Sequence, residues 1–262
     1  MVLDYETLKL IWWLLMGILL IGFALTDGFD MGVGILLPFI GHTDEERRIM
    51  INTVGPHWEG NQVWLVTAGG ALFAAWPLVY AMAFSGFYLA MMLTLFALFL
   101  RPVGFDYRSK LDDTRWRSSW DWGLFIGSFV PPLIFGVAFG NLLLGVPFYF
   151  DEMMRPNYTG GFLQLLNPFA LLAGLVSLLM IVMHGSVWLQ IRTLDSLEWR
   201  ATQVAKASSV ALLIAFALAG LWVSFGIDGY VVSSMPAASA SFTPDMKQVT
   251  TQAGGWLLNY QQ

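Results

Sequence analysis

The chain is a succession of long apolar runs separated by short polar connections. The first run extends from Leu10 to Pro38 and has no charged residue between Leu10 and Thr26. A membrane-spanning helix needs about 20 mainly apolar residues, so this run predicts a span over about residues 10–36. A polar connection from His42 to Asn52 follows, and Pro56 is placed to open the next helix, because proline suits the first helical position. Gly60 to Leu100 holds 41 residues without Asp, Glu, Lys or Arg. As one helix it would measure roughly 60 Å, twice the hydrocarbon core, so it must contain two spans. Trp76-Pro77 marks the turn, since proline breaks a helix and tryptophan favours the membrane interface. The two spans cover about residues 59–75 and 78–100. Three more follow, over about residues 120–144, 162–189 and 206–225, and Pro131-Pro132 predicts a kink or break in the first of them. The polar stretch from Asp228 to Gln252 reads as an extramembrane loop, and Ala253 to Leu258 starts another helix. The predicted fold is all-α, a polytopic membrane helix bundle of six spans plus the start of a seventh, as a single membrane domain over residues 1–262.

Charge supports this division. The connections between spans one and two, three and four, and five and six hold Arg47, Arg48, Arg101, Arg108, Lys110, Arg115, Arg117, Arg192, Arg200 and Lys206. These are ten of the 13 basic residues, and the opposite side has Lys9, Arg155 and Lys247. The positive-inside rule then places the N-terminus in the periplasm and the basic connections in the cytoplasm. Composition agrees, with 57% hydrophobic residues against 12% charged and a mean hydropathy of +0.64. A β-barrel would alternate apolar and polar positions, and these runs do not. There is no basic patch suited to nucleic acid. With no cysteine, disulfides, thiolate metal sites and iron–sulfur clusters held by this chain alone are excluded. Residues Met1 to Lys9 include Asp4 and Glu6 and lack a basic leader, and no small-residue cleavage site follows, so the first run reads as a retained helix.

Candidate chemistry concentrates at the ends of the first three spans. Asp27 and Asp30 interrupt the first apolar run three residues apart, on roughly one helical face. Carboxylates at membrane depth face a protein interior or a water-filled path, so both are candidates for a proton path. If the helix ended near Asp27, the two acids would instead meet water at the surface. Gly28 and Gly32 form a G-x-x-x-G that lets another helix approach closely. Pro56-His-Trp-Glu-Gly-Asn-Gln-Val-Trp64 opens the second span. Glu59 in its first turn reads either as a helix cap or as a proton-handling group, while His57, Trp58, Asn61 and Gln62 read as partner contacts. Arg101 reads either as a snorkelling cation at a helix end or as a contact to a partner. Asp106 completes the acidic candidates. His184 lies inside the fifth span and His57 at the mouth of the second, without a second ligand at a telling spacing, so haem ligation by this chain is not expected. Phosphate loops, Ser-His-Asp arrangements and metal clusters are absent from the sequence.

Ile11-Trp-Trp-Leu-Leu15, Thr26-Asp-Gly-Phe-Asp-Met-Gly-Val-Gly34, Arg47-Arg-Ile-Met-Ile-Asn52, the Pro56–Trp64 motif, Arg101-Pro-Val-Gly-Phe-Asp-Tyr-Arg-Ser-Lys110 and Gly226-Ile-Asp-Gly-Tyr230 carry a resemblance through nearly the whole chain. Together they resemble subunit II of bacterial cytochrome bd ubiquinol oxidase. The resemblance implies a haem-bearing partner, subunit I, with haems b and d and the quinol site, and reduction of dioxygen by quinol with protons taken from the cytoplasm. It implies no catalytic residue and no haem in this chain, a bacterial inner-membrane location, a small accessory subunit and membrane lipids and quinol as partners, and a bound quinone or lipid. It places Trp64 near a lateral route for oxygen. Family members continue through further helices, so the chain is expected to be C-terminally truncated relative to them, and the family's entrance motif has aspartate where Glu59 stands. The alternative is a secondary transporter, which also uses buried acids and broken helices; its inverted-repeat symmetry is not visible in six spans.

Overall fold

A computed structural model describes residues 4–234 and 246–258. Nine α-helices account for most of these residues: α1 (Tyr5–Ile40), α2 (Asp44–Val54), α3 (Trp58–Ala75), α4 (Pro77–Gly86), α5 (Tyr88–Tyr107), α6 (Thr114–Leu144), α7 (Pro168–Arg192), α8 (Asp195–Gly226) and α9 (Gly255–Leu258). Two small antiparallel pairs complete the fold: β1 (Phe148–Phe150) with β2 (Pro156–Tyr158), and β3 (Gly229–Ser234) with β4 (Gln248–Gln252). Among the described residues, α1, α5, α6, α7 and α8 are long and apolar enough to cross a membrane.

Local sequence explains where the helices begin. The Thr43 hydroxyl accepts from the Glu46 backbone N–H at 3.1 Å, and the Glu46 carboxylate accepts from the Thr43 N–H at 3.3 Å. This capping box starts α2. The Asp113 carboxylate accepts from Arg115 N–H at 2.8 Å and starts α6. Asn167 caps α7 by accepting from Ala170 N–H at 2.8 Å, and Pro168 takes its first position.

The helix bounds differ from the hydropathy reading in four places. The helix expected over 78–100 is two helices, α4 and α5, divided at Phe87, whose backbone leaves the helical region at φ −101° and ψ 22°. The turn at Trp76-Pro77 is present, but α4 then packs on β2, and the long helix shifts to 88–107. Apolar character continues past Leu100, so Arg101 falls inside α5 rather than at its end. Second, α6 runs through Pro131-Pro132 without a break. Third, α7 begins at Pro168, because residues 162–166 form a 3-10 turn ahead of the Asn167 cap. Fourth, α8 begins at Asp195, since its polar first turns pack on α2 and continue the same helix. The polar stretch after Asp228 contains the β3–β4 pair.

Helix α1 is the hub, packing on α3, α6 and α7, while α5–α6–α7–α8 pack in chain order. Its first half is largely exposed, and its second half, from Asp27 to Leu37, is largely buried. Val33, Leu36, Leu37 and Ile40 of α1 meet Met50 and Val54 of α2, Leu124 of α6, Leu189 of α7 and Leu197 of α8. The expected G-x-x-x-G faces α7. A Cβ on Gly32 would lie 2.6 Å from the Gly185 Cα, and one on Gly28 would lie 3.2 Å from the Ile181 side chain. The α1–α7 approach is therefore backbone to backbone, as small residues permit in membrane bundles.

Helix α2 is held across the bundle end by ions. The Arg200 guanidinium on α8 donates to the Glu46 carboxylate and lies 3.0 Å from His42 Nδ1. Burial raises the Glu46 pKa, but hydrogen bonds from Arg200 and from the His42 and Thr43 backbone, with the Arg200 charge, outweigh it and hold the group down to about 2.

Two outcomes follow from this packing. Replacing Gly32 by Val forces atoms into the Gly185 backbone, and overpacking of this kind costs about 1–3 kcal/mol; the purified protein should lose thermal stability, and Gly28→Ala should lose less. The Glu46 carboxylate is depressed in the folded state, so its stabilising contribution is complete above its ordinary value near 4.5 and is lost as pH falls toward about 2. Amide exchange in α2, corrected for intrinsic rates, should accelerate across that window, and Glu46→Gln should show the fast exchange at neutral pH.

Candidate functional site

The second half of α1 presents two fully buried carboxylates, Asp27 and Asp30, on one face. The helix continues to Ile40, so the acids do not meet water at a helix end. They receive different partners. Arg101 of α5, itself fully buried, donates from Nη1 to Asp27 Oδ2 at 2.9 Å and from Nη2 to Asp27 Oδ1 at 2.6 Å. This is a bidentate fork, the strongest geometry for a guanidinium and a carboxylate. The snorkelling reading of Arg101 is therefore corrected: α5 carries it into the bundle, where it neutralises Asp27.

Asp30 has an amide for a partner instead of a cation. Asn61 of α3 donates to Asp30 Oδ2 at 2.8 Å and reaches the Thr26 carbonyl at 3.3 Å. The other oxygen, Oδ1, accepts no hydrogen bond among the described residues. His57, at the N-cap of α3, places Nδ1 3.7 Å from that oxygen and 3.4 Å from Asn61 Nδ2. Phe29, one residue before Asp30, stacks on Trp188 with ring centroids 4.1 Å apart, and His57 meets both rings edge-on. Arg192 lies over Trp188 at 4.6 Å. Burial and the Arg192 charge lower the His57 pKa, despite a raising backbone contact at Thr53. Its imidazole is accordingly neutral at pH 7.

The remaining candidates divide. Trp58 stacks on Phe105 at 4.9 Å and lies 6.0 Å from the Arg101 guanidinium, so it borders the ion pair. Gln62 is half-buried and makes no hydrogen bond among the described residues. Trp64 packs over Gly22, where a Cβ would lie 2.6 Å from the indole ring. Glu59 and Asp106 are exposed and do not face Asp27 or Asp30. The expectation that Glu59 faces them is corrected: it projects outward from the first turn of α3, and Asn61, two residues on, projects inward.

A second polar centre was not singled out from the sequence. Asp121 of α6 is buried and accepts from Arg108 Nε, from Arg108 Nη2 at 3.2 Å and from Arg47 Nη1 at 2.8 Å. Arg108 also donates to Asp44 at 2.8 Å, and Arg117 joins Asp44 to Asp112 at 2.8 and 2.9 Å. The available signal was Asp121 itself, the one acid in the run over 120–144.

Of the three histidines, His184 Nε2 is 2.9 Å from the Leu25 carbonyl, His57 Nδ1 lies near Asn61 and Asp30, and His42 Nδ1 is 3.0 Å from the Arg200 guanidinium. Among the described residues, no three of His, Asp or Glu converge as a metal-binding set. An apolar groove of about 720 Å³ opens between α1, α6, α7 and α8, lined by residues including Phe23, Phe135, Met180 and Phe216.

Removing one member of the Asp27–Arg101 pair leaves the other charge buried alone, at a cost of about 3–5 kcal/mol. Asp27→Asn and Arg101→Gln should each lower the thermal stability of the purified protein sharply. The double variant removes both charges and should recover most of the loss; an additive loss would show that the pair is not the source of the stability.

The arrangement has relatives. The family model for cytochrome bd terminal oxidase subunit II matches residues 8–259. The chain is 64% identical over 257 residues to cytochrome bd-I ubiquinol oxidase subunit 2 of Escherichia coli (strain K12), covering 98% of this chain and 68% of that protein. It is 60% identical over 259 residues to a probable cytochrome oxidase subunit 2 of Haemophilus influenzae, covering 99% and 68%. It is 38% identical over 212 residues to cytochrome bd ubiquinol oxidase subunit 2 of Bacillus subtilis, covering 80% and 62%. A multi-pass chain with these motifs, this match and these relatives belongs to the subunit II family of cytochrome bd terminal oxidases.

Proposed function

We propose that this chain is the non-haem subunit of a quinol:dioxygen oxidoreductase in a bacterial inner membrane, with its N-terminus in the periplasm, and that it supports a haem-bearing subunit I and conducts protons toward it. The names of its relatives support the oxidase role over the secondary-transporter alternative. The haems supply electron transfer and oxygen reduction in the partner. This chain's own residues hold the bundle and handle protons.

The observation that carries the proton reading is the contrast between the two buried acids. Arg101 pairs with Asp27 through two hydrogen bonds. Asp30 is equally buried, has one amide donor and leaves one oxygen open. Burying a carboxylate without a cation is costly, and taking up a proton relieves the cost. Asp30 is thus the acid able to exchange a proton. Glu59 and Asp106, exposed on α3 and at the end of α5, are the surface acids of this reading. His57, Trp58, Asn61 and Gln62 then serve as the entrance that meets the partner, and Trp64 borders the route for oxygen. The apolar groove is suited to the tail of a quinone or a lipid.

In the assembled oxidase, Asp30→Asn should keep normal haem content while quinol-driven oxygen consumption falls about a hundredfold, the low end of what a positioned proton carrier contributes. Asp30→Glu should recover part of the rate. An Asn variant that assembles and turns over at the wild-type rate rules out this path.

A further inference from the structure

We propose that His57 is the group that carries protons from the open mouth of the bundle to Asp30. This rests on Asp30 being a proton carrier and adds the residue that loads it. The geometry is specific. His57 Nδ1 lies 3.7 Å from Asp30 Oδ1, with the histidine side chain 37% exposed and the aspartate side chain 0% exposed. Oδ1 is the oxygen that accepts no hydrogen bond among the described residues, whereas Asn61 holds Oδ2. A hydrogen bond needs a separation of about 2.8–3.0 Å, so an approach of under about 1 Å closes the gap.

The surroundings keep the ring within reach of both sides. Phe29 and Trp188 meet it edge-on, at 5.5 and 5.6 Å between centroids, and confine it. Asn61 Nδ2 stands 3.4 Å from Nδ1 and points its other contact at Asp30, so the amide orients both groups. The charged and titratable groups packed around the pair are Asp27 on α1, Arg101 on α5, and His184 and Arg192 on α7. Arg192 makes an imidazolium here a ready acid. The step balances simply. The neutral ring, protonated at Nε2, takes a proton on Nδ1 from a hydronium ion, which is left as water, and becomes imidazolium. Its Nδ1–H bond breaks as an O–H bond forms on Asp30 Oδ1, leaving a neutral imidazole and a carboxylic acid. Asp30 then passes the proton inward and returns to the carboxylate. Electrons are not exchanged.

The test uses the assembled two-subunit oxidase with full haem content. His57→Ala should slow quinol-driven oxygen consumption about a hundredfold, and millimolar imidazole should restore the rate in part, while Asp30→Asn stays slow in imidazole. His57→Gln, which keeps the polar volume but cannot carry a proton, should be slow as well and covers the case in which the alanine variant fails to assemble. A slow His57→Ala that imidazole does not rescue, or a His57→Gln at the wild-type rate beside a slow Asp30→Asn, overturns the role of His57 and leaves Asp30 standing. An Asp30→Asn enzyme at the wild-type rate overturns both.

Discussion

The buried Asp27–Arg101 pair is the constraint on which the rest of the bundle depends. Two opposite charges at full burial hold together only if each satisfies the other with good geometry, and the bidentate fork meets that condition. It joins α1 to α5, two helices that are distant in the chain. It fixes the rotation of α1, because Asp27 must point at α5. Asp30, one turn on, is then directed toward α3, and Gly28 and Gly32 toward α7. One ion pair therefore sets which face of α1 meets each of three neighbours.

The charges at the basic end of the bundle are managed the same way. Asp121 collects Arg108 and Arg47, Asp44 collects Arg108 and Arg117, and Glu46 collects Arg200. These contacts tie α2, the end of α5 and the starts of α6 and α8 into one cap over the apolar cluster around Met50 and Leu189. The cations that mark this end in the loop-charge pattern are thus also the structural clamps of α2. Sidedness and cohesion share the same residues.

Much of this was legible in the sequence. Hydropathy and proline placement gave the helical class, the turn at Trp76-Pro77 and the long first helix with its two acids. The spacing of Gly28 and Gly32 gave a close helix contact, which is made to Gly185. What hydropathy could not give was the division at Phe87, since α4 and α5 are both apolar and the break depends on packing against β2 and Leu165. That error put Arg101 at a helix end and suggested a snorkelling side chain. Pairwise choices were hidden for a similar reason. Which acid finds Arg101, and that Asn61 rather than Glu59 turns inward, depends on helix rotation, and the two residues from Glu59 to Asn61 on α3 are about 200° of arc. Asp121 was visible as a lone acid in an apolar run, but its partners lie on other elements.

The partner of Asp30 is the informative choice. A lysine or arginine in place of Asn61 would pair the carboxylate with a cation, as Arg101 does for Asp27. An apolar residue would leave the acid without orientation. An amide lies between these extremes, for it holds one oxygen at 2.8 Å and adds no charge. The adjacent Asp27 is already paired with Arg101, so the site holds one carboxylate without a cation rather than two. The open oxygen faces a histidine that reaches solvent, not another fixed donor. A scaffold acid would be expected to have both oxygens saturated, since an unmet buried acceptor costs about 1–3 kcal/mol. Asp30 retains that cost while an acid three residues away has escaped it, and the proton exchange proposed for Asp30 would give the retained cost a function.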